Sequence, residues 1–289
     1  MLDTLDTRPK RLWRAATHAS ALPTLTVLAE RKFRRLVRKQ SKALAAPEIA
    51  LADQTICVSA TDNQIPRILF QTWKSRTALP SNYALWRSTF LSHNPGYQCL
   101  IWDDADNRAF VAKHFSWFLP IYDAFPKEIF RVDAVRLLFL FHHGGFYCDL
   151  DTECLKSLDT LRDKGDVLLG RMGEDPGFAH AVPNAAMASR PRQLFWLLAI
   201  ALMITAIEQA GTPDALLKLG PEAVTGPVLV REAALFYLRN PTAAVMQRAQ
   251  QILAKLDGVT SDAVEAGTLK LLDSEIWYPL DWTNPCIDC

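Results

Sequence analysis

An α/β fold on one mostly parallel sheet is what this sequence predicts, and three observations predict it. From residue 65 onward, short apolar runs alternate with longer helical stretches, the pattern of a parallel sheet with helices on both faces. The apolar runs have strand length and are bounded by proline, glycine or aspartate, as buried strands are. The composition, 49% hydrophobic and 22% charged over 289 residues, suits a globular chain with a sizeable core.

The elements follow in order. Residues 1–60 read as a basic helical arm, broken near Pro23, followed by a polar linker; residues 61–289 read as the α/β domain. Within 65–73, Ile-Pro-Arg-Ile-Leu-Phe-Gln-Thr-Trp opens the domain as a strand. Residues 81–93 form a helix with Ser81 as its N-cap. Asn94-Pro95-Gly96 is a turn. Tyr97–Trp102 is a second strand, ending at Asp103-Asp104, and 104–115 a second helix. Lys127–His143 is an apolar helix stopped by Gly144. A strand over 146–151 follows, then a short one over 167–170. Helices are expected over 192–210, 213–220, 225–238 and 243–257, and 270–279 reads as a strand leaving the domain.

Charge is unevenly spread. Residues 1–45 carry 11 Lys/Arg against 3 Asp/Glu, within a chain of net charge +1. The domain itself is acidic, which excludes a nucleic-acid footprint on it. The basic segment 31–42 suits an anionic membrane surface. The longest apolar stretch, 194–207, is too short to span a bilayer and reads as a buried helix. With no secretory signal in the given sequence, the expected location is the cytoplasm, peripheral to the inner membrane face. The six cysteines are scattered and imply no disulfide scaffold, and Cys286–Cys289 is a lone C-x-x-C at the tail.

The chemistry concentrates between 131 and 151. Asp133 and Arg136 are i and i+3 on a helix, hence on one face, and charges on so apolar a helix are costly unless paired or used. Gly144 and Gly145 permit a tight turn into a strand that delivers Asp149 and Asp151. On an extended strand, residues two apart face one side, so Tyr147, Asp149 and Asp151 point one way and Phe146, Cys148 and Leu150 the other. Two crowded carboxylates suggest a hard divalent cation shared with substrate phosphates, hence a nucleoside diphosphate.

Four segments together resemble the sugar-transferase family with a DXD motif (glycosyltransferase family 32): Ile65–Trp73, Asp133-Ala-Val-Arg136, Gly144-Gly-Phe-Tyr-Cys-Asp-Leu-Asp151 and Asn184–Ser189. That family includes yeast initiating α-1,6-mannosyltransferases, mannosyl-inositol-phosphoceramide synthases and bacterial capsular polysaccharide transferases. The resemblance implies a GT-A type, Rossmann-like domain that transfers a hexose from a UDP- or GDP-sugar to a glycan or lipid-linked acceptor. It also implies Mn²⁺ or Mg²⁺ as cofactor and retention of anomeric configuration. Asp149 and Asp151 would hold the metal, with Asp133 and Arg136 joining them as catalytic residues. Gln71, Trp73, Asp133, Arg136, Gly145, Tyr147, Asp149, Asn184 and Gly226 would bind the donor. The chain departs from relatives at its tail, which offers Asp281, Trp282, Asn284 and Asp288 but no histidine. That departure motivates an alternative: a non-catalytic nucleotide-sugar or lipid-headgroup binding protein on the same fold.

Overall fold

The computed structural model describes residues 63–173, 175, 177–254, 256 and 264–278. The expected basic arm, its 31–42 segment and the Cys286–Cys289 pair lie outside the described residues.

Six strands form one sheet: β1 (Ile68–Thr72), β2 (Gln98–Trp102), β3 (Gly145–Cys148), β4 (Val167–Gly170), β5 (Ala186–Ser189) and β6 (Leu269–Leu272), in the order β2-β1-β3-β5-β4-β6. β1 is parallel to β2 and β3, and β4 to β6, while β5 is antiparallel to both β3 and β4. Every strand but β5 therefore points the same way, as expected of a mostly parallel sheet.

The helices are α1 (Ser81–His93), α2 (Asp104–His114), α3 (Leu119–Asp123), α4 (Glu128–His142), α5 (Leu194–Ala210), α6 (Pro213–Leu219), α7 (Pro221–Val224), α8 (Pro227–Arg239), α9 (Thr242–Leu253) and α10 (Ser274–Trp277). They cover both sheet faces, so β1, β3, β4 and β5 are buried at every residue. Alternation sorts the side chains. Ile68, Phe70, Tyr147, Leu169 and Met187 enter a large core with α2, α4, α5, α8 and α9. Leu69, Phe146, Cys148, Leu168 and Ala188 enter a smaller one beneath α1. Phe70, Trp102 and Phe139 pack ring on ring within the larger core, so Trp102 is a core residue. The apolar helix α5 is a core helix too, with Leu194–Ile204 all buried. Among the described residues, no single helix is long and apolar enough to cross a membrane.

Several details differ from expectation. α1 begins at Ser81, but Pro80 occupies the cap position and no side chain caps the helix. A real cap appears at α2, where Asp103 accepts from the backbone N–H of Ala105 and Asp106, and the Asp106 carboxylate accepts from Asp103 N–H; this is a reciprocal capping box. β6 does not leave the domain: it closes the sheet beside β4, and the chain then turns into α10. α3 and β5 had no sequence signal of their own, one being a single short turn and the other Ala-Met-Ala-Ser, poor in β-branched and aromatic residues.

The α4–β3 junction explains its two glycines. Gly144 and Gly145 have φ of +68° and +91°, the left-handed region that other residues enter at about 1–2 kcal/mol each. A Cβ at Gly145 would also lie 2.6 Å from the Ile68 carbonyl oxygen on β1. Gly145→Ala is therefore expected to lower stability by more than about 2 kcal/mol in chemical denaturation. A loss below about 0.5 kcal/mol, the scale of a neutral surface change, would show that the junction does not need its glycine.

Candidate active site

Open α/β sheets bind ligands outside the C-terminal ends of their strands. Here β1, β2 and β3 end together at Thr72, Trp102 and Cys148. Because β5 runs the other way, with Ala186 opposite Cys148, the segment entering β5 starts from the same edge. The loop after β3 and the residues before β5 therefore meet by topology alone, and Asp149 N–H donates to the Ala185 carbonyl at 2.8 Å.

At this edge Arg136 is the hub. It projects from α4, and its Nη2 lies 3.1 Å from Asp133 Oδ1, one turn earlier. Its Nη1 donates to the Asn184 carbonyl at 2.9 Å and lies 3.3 Å from Asp149 Oδ1. Its guanidinium sits over the Tyr147 ring, 4.4 Å from the centroid. Tyr147, two residues before Asp149 on the same face, donates its hydroxyl hydrogen to the Asp149 carboxylate. Asn184 Nδ2 donates to Asp133 Oδ1 at 3.1 Å. A Cβ at Gly226 would fall 3.1 Å from Asp133 Oδ2 and 2.9 Å from Glu222 Cα, so glycine lets the α7–α8 turn close over Asp133. Asp133, Arg136, Tyr147, Asp149, Asn184 and Gly226, singled out in sequence, thus form one cluster.

The electrostatics follow from burial. Asp133 and Arg136 are 6% and 4% exposed. Burial pushes the Asp133 carboxyl up to about 6, although Arg136, Asn184 and Thr225 pull it down. Burial lowers the Arg136 guanidinium, but Asp149, Tyr147 and Asp133 more than offset this and hold it charged. Burial also raises Tyr147, keeping it a hydrogen-bond donor. Asp149 is raised by burial and by Asp151, and lowered by Arg136 and Tyr147.

The placement of the two carboxylates is corrected. β3 stops at Cys148, and Asp149–Asp151 lie in a turn closed by Thr152, whose N–H and hydroxyl donate to the Asp149 carbonyl at 3.3 and 2.6 Å. Strand alternation does not carry through to Asp151. Leu150 is buried, while Asp151 is exposed and makes no hydrogen bond or ion pair with other described residues. Asp149 is committed through Oδ1, and Asp151 faces solvent. The second oxygen of the half-buried Asp149 and the exposed carboxylate of Asp151 fit a hard divalent ion that keeps waters and substrate oxygens as its other ligands.

The structure does not bring three expected residues to this cluster. Gly145 opens β3 at the opposite edge, roughly 13 Å from Asp149 at 3.3 Å per residue; its work is the close approach to β1. Gln71 is fully buried and alternates onto the face opposite Phe70 and Tyr147, where Oε1 accepts from Arg87 Nη1 at 2.5 Å. Trp73 follows β1 at the ligand edge and packs edge-on against Tyr83, with centroids 4.7 Å apart.

Two further residues join the cluster, one from the turn that holds Gly226 and one from the segment after β6. Thr225, fully buried, supports the ionised Asp133 from the α7–α8 turn. The Tyr278 hydroxyl accepts from Ala186 N–H at 2.7 Å and donates to the Ala186 carbonyl at 3.2 Å. Its ring covers Gly170, where a Cβ would come within 2.5 Å of it. Tyr278 thereby fastens the segment after β6 to the strand beside Asp149.

The fold is α/β, and the cluster at the C-terminal edge of its sheet is followed by a D-x-D pair. Residues 80–168, which hold Asp133, Arg136, Asp149 and Asp151, match the family described as "Glycosyltransferase sugar-binding region containing DXD motif", so the resemblance read from the motifs is borne out over this segment. The chain is 39% identical over 97 residues to inositol phosphoceramide mannosyltransferase 2 of Schizosaccharomyces pombe, covering 34% of this chain and 28% of that one. It is 33% identical over 136 residues to mannosyl phosphorylinositol ceramide synthase CSH1 of Saccharomyces cerevisiae, covering 47% and 34%. It is 29% identical over 110 residues to the initiation-specific alpha-1,6-mannosyltransferase of Candida albicans, covering 36% and 29%. The matches thus span about a third of the length of these curated relatives. Among solved structures, PaToxG glycosyltransferase aligns over 78% of this chain and 86% of its own, with TM-score 0.47 and 16% identity.

Proposed function

We propose that this chain transfers a hexosyl group from a nucleoside-diphosphate sugar to an acceptor hydroxyl. The observation that carries the reading is Arg136, buried and charged between Asp133 and Asp149 at the ligand edge of the sheet, next to the exposed carboxylate of Asp151. The donor is a UDP- or GDP-sugar, and Asp149 and Asp151 are the residues that would hold Mn²⁺ or Mg²⁺. Such an ion, when bound, supplies positive charge for the departing diphosphate.

The chain's own residues do the rest. Arg136 and the Tyr147 hydroxyl fix one oxygen of Asp149, so its second oxygen is presented in a set direction. Asp133 is held by Arg136 and Asn184 as an acceptor aimed at the same edge, suited to a sugar hydroxyl. Arg136 adds fixed positive charge beside the position of the phosphates, and preorganised charge of this kind is what stabilises a developing anion. The motif resemblance implies retention, and front-face attack is the retaining route that fits, since no further carboxylate stands in the cluster as nucleophile among the described residues.

The names of the matched relatives make an inositol-phosphoceramide-type lipid the first acceptor to test, with glycans second. A lipid acceptor also gives the basic segment 31–42 a use, holding the enzyme against an anionic, cytoplasm-facing membrane surface.

The test is nucleotide release from a panel of UDP- and GDP-sugars, with and without Mn²⁺. Metal-dependent release from one donor, accelerated by its acceptor, is the expected result. Tight donor binding without release under any acceptor would instead make the chain a nucleotide-sugar binding protein.

A further inference from the structure

A second cluster of ligating side chains stands at the other edge of the sheet. His114 lies in the last turn of α2, His142 in the last turn of α4, and His143 caps α4. Their rings converge, with centroids 4.1 Å apart for His114 and His142, 4.4 Å for His142 and His143, and 5.9 Å for His114 and His143. One ring nitrogen from each can be chosen so that all three lie within 4.8 Å of one another. All three residues are half-buried, so solvent reaches the cluster. None of their ring nitrogens hydrogen-bonds to another described residue.

We propose that His114, His142 and His143 bind a late first-row divalent transition ion, Zn²⁺ foremost, at a site separate from the aspartate pair. The donor chemistry separates the two sites. Three imidazoles select borderline-soft ions such as Zn²⁺, whereas carboxylates and phosphates select Mg²⁺ or Mn²⁺. Three histidines with a fourth position open to water is an established zinc arrangement.

Geometry supports it. Zn–N bonds of roughly 2.0–2.1 Å place tetrahedral nitrogens about 3.3–3.4 Å apart, so side-chain rotations of the order of 1 Å complete the site. The C-terminal ends of two helices converge here, and each favours positive charge through its unpaired carbonyls. The Phe110 ring, 5.2 to 5.8 Å from the three imidazoles, forms an apolar wall, which excludes competing water from one side. Burial and mutual repulsion hold the imidazoles neutral at ordinary pH, and Lys113 and Arg192 add to that repulsion. Those two cations also oppose a dication, which favours an ion bound strongly by imidazole. The bound ion would tie the end of α2 to the α4–β3 junction.

The experiment titrates Co²⁺, then Zn²⁺, into the EDTA-treated full chain carrying Cys286→Ser and Cys289→Ser, so that thiolates do not compete. The expected result is one equivalent of Co²⁺ with the intense visible d–d absorption of a four-coordinate ion, displaced by Zn²⁺. It should persist when Asp149→Asn and Asp151→Asn are added, and weaken at least roughly 100-fold in affinity in His142→Gln. His114→Gln, on a different helix, gives the same reading if His142→Gln fails to fold, with far-ultraviolet circular dichroism as the check. Absence of the band in the parent chain, or its survival in either folded histidine variant, would overturn the site and leave an aromatic cluster.

Discussion

Asp151→Asn is expected to abolish metal-dependent nucleotide release, by roughly 100-fold or more, the scale on which single charge-stabilising groups act in catalysis. The melting temperature should not move. The second half of that statement is what makes the variant informative. Asp151 is exposed and holds nothing else in the described structure together, and surface changes of this kind usually fall within about 0.5 kcal/mol. Asp149→Asn should lose the same activity but also stability, because its Oδ1 is bound by Arg136 and by the Tyr147 hydroxyl. The pair of variants thus separates an oxygen that serves only a ligand from one that also orders the site. Nucleotide release against Mn²⁺ concentration, together with thermal melts, reads both. Full activity in Asp151→Asn would remove the carboxylate turn from the mechanism.

Much of this was legible in sequence, and the reason is local. The i, i+3 spacing of Asp133 and Arg136 needs only a helix to put them together, and their cost on an apolar helix marks them as paired. The glycine pair between α4 and β3 announced a turn that no other residue type fits. What sequence could not supply was the topology that brings distant segments to one place. Asn184 meets Arg136 only because β5 enters the sheet antiparallel, and β5 itself, Ala-Met-Ala-Ser, has no β-branched or aromatic residue to signal a strand. Tyr278 is fastened to the same strand by β6, which reads in isolation as a departing segment. The alternation rule failed at Asp151 for a related reason: its period of two holds only while the chain stays in the sheet, and the Thr152 turn ends it three residues early. His114 and the His142–His143 pair lie 28 residues apart in number and meet only through the packing of α2 on α4.

Arg136→Met is expected to cost about 3–5 kcal/mol of stability at mildly alkaline pH, the range for breaking a buried ion pair from one side. Methionine nearly fills the space, so lost packing is a minor part. The main cost is electrostatic: Asp133 and Asp149 remain in a buried cluster with no cation between them, and each already repels the other. The sign of the pH dependence then follows by linkage. In the wild type, burial raises Asp133 from 3.8 to about 6, so the folded state binds more protons than the unfolded state in that window and stability falls as pH rises through it. Removing Arg136 takes away the group that lowers both carboxyls, so both move higher and the penalty at alkaline pH grows. Acidification should therefore recover much of the loss as the carboxyls take up protons. Adding Asp133→Asn should recover part of it without acidification, a coupling of more than about 1 kcal/mol in a double-mutant cycle. Denaturant unfolding of the four proteins at two pH values measures every term. If Arg136→Met lost less than about 1 kcal/mol at alkaline pH, or lost the same amount at both pH values, Arg136 would not be the residue that holds the carboxylates of this site in place.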